Sequence, residues 1–135
     1  MKSFVVVMSV LGSLMLNVSA VQAQLVVQRV QPSQLVPDFA GKALSTLEPT
    51  IVTLQLTTPV AITASSPTPS GFQDPQGTDY SSFLRYGDRE VSSGATLTIN
   101  ATGEVDVEAG MRVIRSQPYP AGDYSYNVFL TITAP

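Results

Sequence analysis

The stretch Tyr124-Ser125-Tyr126-Asn127-Val128-Phe129-Leu130-Thr131-Ile132-Thr133 narrows the fold more than any other part of this 135-residue chain. Tyr124, Tyr126, Val128, Leu130 and Ile132 share one parity, and Ser125, Asn127, Thr131 and Thr133 the other, with Phe129 the single exception. Side chains on a strand alternate between faces, so this pattern predicts a long strand with one face in a core and one face polar. Pro118-Tyr119-Pro120-Ala121-Gly122-Asp123 punctuates its entrance as a turn. A strand of this quality must pair with others, and the chain is therefore expected to be built on sheets.

The same alternation recurs upstream. In Thr50–Ala64, Val52, Leu54, Leu56, Val60 and Ile62 keep one parity against Thr53, Gln55 and Thr57, while Pro59 removes a ladder donor and points to an edge or a bulge. Residues 65–77, rich in Ser, Thr, Pro and Gly, read as a long surface loop. Tyr80, Phe83, Leu84 and Tyr86 mark one short strand. Three more follow: Leu97 and Ile99, then Val105 and Val107 after Gly103, then Met111 and Val113 after Ala109-Gly110, a cadence that predicts an antiparallel meander with tight turns. Phe39–Pro49 has a weak helical spacing in Gly41, Leu44 and Leu47 and reads as a connector. Seven or eight short strands without a long amphipathic helix predict an all-β, immunoglobulin-like β-sandwich with antiparallel strands.

The first 23 residues read differently. Lys2 gives a positive start, Phe4 to Leu16 is apolar apart from small residues, and Val21-Gln22-Ala23 places small residues at a cleavage site, the pattern of a secretory signal peptide. That run is too short to span a bilayer comfortably. Gln24 is the expected mature start, with a cut after Ala20 as the alternative. Removing 23 of 135 residues leaves 112, a size at which one core buries roughly 65% of the unfolded surface. The expected organisation is thus a signal peptide over 1–23, an N-terminal extension and connector over 24–49, and a sandwich domain over 50–135. The expected destination is outside the cytoplasm: periplasm, cell surface or extracellular space.

Composition excludes several function classes. Six basic residues remain against ten acidic ones once Lys2 is removed, which disfavours nucleic acid and anionic membrane surfaces as partners. The chain has neither His nor Cys, and Lys42 is the only mature lysine, so the usual general bases and nucleophiles are missing and no enzyme is expected. No cofactor or metal is expected either. Glu104, Asp106 and Glu108 share a strand face, but successive ones lie roughly 7 Å apart and cannot all reach one ion. Asp74 and Asp79 are a looser Ca²⁺ candidate. Tyr80 and Tyr119, in or near loops, are the tyrosines left to offer a ligand, since Tyr124 and Tyr126 lie on the core parity.

The closing run from Pro120 to Thr133, with its Ala-Gly-Asp-Tyr turn, and the Gly-punctuated residues Ala95 to Gly110 before it, resemble the end of bacterial pilin-like sandwiches. The likeness is to the spore coat U family and related archaic chaperone–usher pilins, although the cysteine pair common there is absent. It implies an incomplete sandwich finished by a strand from the next subunit. Its implied partners are copies of the chain or related subunits, with a periplasmic chaperone as a further candidate. The residues themselves offer a segment for that role. Leu25, Val26, Val27 and Val30 form a short β-prone run at the mature start, closed off by Pro32 and Pro37. Two readings stand side by side: a strand donated to a neighbour, or the domain's own first strand. A monomeric secreted or periplasmic sandwich that binds a glycan or a protein through its loops is the competing function.

Overall fold

The computed structural model describes the backbone of residues 2–10 and 25–31, and residues 34–134 in more detail. The expected cleavage points after Ala20 and Ala23 lie outside the described residues. Among the described residues every regular element is a strand, and the strands form two antiparallel sheets. The first sheet contains β1 (Lys2–Val10), β12 (Tyr126–Ala134), β6 (Val60–Ala64) and β10 (Thr96–Ile99) in that order, with the short β7 (Thr68–Pro69) also paired to β12. In the second, β2 (Leu25–Gln31), β5 (Thr50–Leu56), β11 (Gly103–Ile114), β4 (Ala43–Thr46) and β3 (Leu35–Pro37) follow one another, and β8 (Asp79–Tyr86) joins β11 to β9 (Arg89–Ser92). Among the described residues no helix is long and apolar enough to cross a membrane.

The alternating patterns become the core. Tyr126, Val128, Leu130 and Ile132 are buried from one sheet, and Val52, Leu54, Leu56, Val105, Val107 and Val113 from the other, in one apolar cluster. Tyr124 is only half-buried because the strand starts two residues later, at Tyr126. Phe129, the apolar exception, sits half-buried on the other face. Thr50–Ala64 keeps its parity across a break. Thr57, Thr58 and Pro59 form a corner, and the chain passes from β5 in one sheet to β6 in the other.

Three sequence expectations need correction. The meander after residue 95 does not form: β10 and β11 lie in different sheets, so Gly103 (φ 89°) turns the chain across the core instead of folding it back in plane. A glycine turn looks the same locally in both cases. Nor is there a turn at Ala109-Gly110, which is the middle of the single strand β11. Gly110 stands opposite Phe83, and a Cβ there would run into the Phe83 ring and crowd Thr46 Oγ1. The glycine makes room for a ring. In the same way Phe39–Pro49 is more than a connector, because Ala43–Thr46 pairs with both β3 and β11.

Candidate functional site

Three segments converge at one end of the core: the loop before β8, the residues following β11, and the start of β12. Arg115 continues the inward parity of Val105 to Val113, so the strand delivers a guanidinium to the core's edge. The loop answers with Asp74. The Asp74 and Arg115 side chains are 1% and 6% exposed, with Nη2 at 2.5 Å and Nε at 2.7 Å from Asp74 Oδ1. Tyr126 donates its hydroxyl to the same oxygen at 2.8 Å, and Tyr80 to Oδ2 at 2.6 Å. Burying a charge is costly unless it is paired and hydrogen-bonded, and this carboxylate is both.

Aromatic rings close over the pair. Arg115 stacks on Tyr119 with its guanidinium carbon 3.8 Å from the ring centroid. Tyr119 and Tyr126 share a hydroxyl–hydroxyl hydrogen bond of 2.7 Å. Phe72 meets Tyr124 and Tyr126 edge-on at 5.3 and 5.2 Å. The two tyrosines singled out for ligands, Tyr80 and Tyr119, are therefore brought into one cluster, with both hydroxyls committed inside it. Sequence reasoning did not find the Asp74–Arg115 pair, although a signal existed in an arginine on core parity. Asp74 is read from the sequence only as a loose Ca²⁺ candidate with Asp79, and its place in a loop gives no sign of the pair; its carboxylate is taken up by Arg115, Tyr126 and Tyr80.

Burial favours the neutral form of the Tyr80, Tyr119 and Tyr126 phenols. Tyr80 is pushed up to about 12 by desolvation and then by its bond to Asp74. Tyr126 is raised, first by burial and then by its bonds to Tyr119 and Asp74, and Tyr119 is raised by burial. In the unfolded chain the same groups ionise near 10. Their contribution to stability is complete below that pH and is withdrawn as pH rises toward the folded values. In an alkaline titration followed by phenolate absorbance, Tyr80, Tyr119 and Tyr126 should ionise together with loss of near-ultraviolet dichroism. Ionisation of Tyr80, Tyr119 and Tyr126 near 10 with the fold intact would contradict the cluster.

Beside the cluster lies an open cleft of about 290 Å³, lined by Leu35, Pro37 and Leu44 on one side and by residues 119–124 on the other. The acidic face of β11 is engaged elsewhere. Asp106 accepts from Thr53 Oγ1 at 2.6 Å, and Glu108 pairs with Arg85 at 2.5 Å. No three metal-ligating side chains come together among the described residues.

The remaining candidate is an edge. On one side β12 pairs with β6 and β7, and on the other its described partner is β1, in unbroken register from Lys2↔Ala134 to Val10↔Tyr126. Phe4, Val6, Met8 and Val10 are thus the register partners of the buried Ile132, Leu130, Val128 and Tyr126. The candidate exchange segment containing Leu25, Val26, Val27 and Val30 is β2, paired with β5 of its own chain at the border of the other sheet, with a register shift between Val27 and Arg29. No protein-family model, curated protein or solved structure matches the chain.

Proposed function

We propose that the chain is an exported structural subunit of a bacterial surface fibre, pilus-like or matrix-forming, whose immunoglobulin-like sandwich is joined to its neighbours by β-strand exchange. The observation that carries this reading is the nine-residue pairing of β1 along β12. Lys2–Val10 lies within the segment whose sequence reads as a signal peptide. Its removal would leave β12 with a bare edge, where unpaired backbone groups and apolar neighbours favour the addition of another strand.

Leu25–Gln31 is the donor we propose. It is seven residues long, has one neighbouring strand among the described residues, and follows directly after the expected cleavage point. Three residues, 32–34, separate it from β3, a reach of roughly 10 Å when extended. Exchange therefore requires the next subunit to stand close, and a compact fibre meets that demand better than a loose chain of beads. Deleting Gln24–Gln31 from the mature protein should abolish polymers and leave a domain that an added Leu25–Gln31 peptide can cap. If the truncated protein unfolds and the peptide restores only monomers, the strand belongs to its own domain and the proposal fails.

A second reading, a monomeric sandwich binding a glycan or protein through its loops, has the cleft beside Tyr119 in its favour. It predicts a monomer at all concentrations.

A further inference from the structure

Phe39 is the most exposed large apolar side chain among the described residues, at 110% of its reference area. It is not on a loose loop. Asp38 donates its N–H to the Ala43 carbonyl at 3.0 Å, and its carboxylate accepts from the Lys42 and Ala43 N–H groups at 2.9 and 3.2 Å. Gly41 supplies the left-handed residue at φ 70°, and its carbonyl accepts from Tyr119 N–H at 2.9 Å. The Ala43 and Lys42 N–H groups hold the Asp38 carboxyl below the usual carboxylate range. The turn between β3 and β4 is thus fixed, and it presents a phenyl ring to solvent.

Next to that ring lies the cleft described above, to which Pro37 and Gly41, on either side of Phe39, contribute. A side chain so fully exposed is not folded into its own cleft. The charges repeat the pattern. Lys42, exposed in the same turn, and Asp123, exposed on the cleft's rim, take part in no ion pair among the described residues. One patch therefore carries a knob with a positive charge and a socket with a negative one.

We propose that this end of the molecule is a two-fold interface between copies of the chain, with Phe39 of each copy entering the cleft of the other and Lys42 meeting the partner's Asp123. A patch that carries both halves of a contact is self-complementary, as a two-fold axis requires. An aromatic side chain buries about 150–250 Å². Two of them form the centre of a small interface, so the pairing is weak and depends on concentration. The contact is separate from the edge of β12 and does not depend on strand exchange. In a fibre it would join subunits side by side.

The absence of native cysteine makes the test clean. A chain carrying Lys42→Cys is mixed with one carrying Asp123→Cys under mild oxidation. In the mixed pair the two cysteines face each other, while the second contact keeps its native Lys42 and Asp123. Disulfide-linked mixed dimers should exceed either self-linked product, and Phe39→Ser in both chains should lower their yield by about tenfold or more. Because Phe39 touches so little of its own chain, the melting transition of that variant should not move. A yield no higher than that from Glu104→Cys chains, or one indifferent to Phe39→Ser, would overturn the proposal. Either result would leave the cleft to a ligand other than a second copy.

Discussion

Asp74→Ala should destabilise the protein by about 3–5 kcal/mol. Asp74 accepts from Arg115, Tyr126 and Tyr80, and removing it leaves the guanidinium and two hydroxyls buried without their partner. Domains of this size hold about 5–15 kcal/mol in total, so the variant would stand near the limit of folding. The loss arises from stranded groups, and it should shrink when they are removed as well. Asp74→Leu combined with Arg115→Met should recover a good part of it, because a buried ion pair is often replaceable by apolar side chains of similar volume. Urea melts of the single and double variants would measure this. Losses that simply add, with no recovery in the double variant, would mean that the two residues are not coupled as described.

Leu130→Ala should cost about 2–5 kcal/mol, and its neighbour Thr131→Ala less than about 1 kcal/mol. Leu130 is 1% exposed in the shared core, whereas Thr131 is half-buried on the opposite face. Both leave the backbone ladder of β12 with β6 intact, Leu130 opposite Ala64 and Thr131 opposite Thr63. The contrast thus isolates side-chain burial from backbone pairing. Equal, small losses at both positions would place the wrong face of β12 inward.

Parity made most of the core legible from the sequence. Val52 to Ile62, Val105 to Val113 and Tyr126 to Ile132 are each buried on the predicted face. Parity is local, however, and it does not say which sheet a strand joins. The chain keeps its even parity through Thr57–Pro59 while leaving one sheet for the other, and Gly103 marks a crossing where an in-plane turn was expected. Gly110 misled because its freedom from a Cβ serves the Phe83 ring and no turn. The unbroken odd parity from Val105 to Val113 already argued for one strand.

The candidate sites were less legible, because they are made of long-range contacts. The sequence offers Tyr80 and Tyr119 only as loop residues for a ligand; Asp74 bonds Tyr80 six residues away, but it meets Tyr119 only through Arg115 and Tyr126, 41 and 52 residues along the chain. The pairing of Lys2–Val10 with β12 could not be read from the composition of the first 23 residues at all. The same apolar, β-branched run that suits an export signal also suits a strand.

Strand exchange is tested most directly on the exported protein itself, by negative-stain microscopy and size exclusion once its intact mass shows a start at Gln24. With β1 gone and the edge of β12 open, the proposal predicts fibres, or polymers of high mass that disappear when Gln24–Gln31 is deleted. A folded, monodisperse monomer of that mass at high concentration would contradict it.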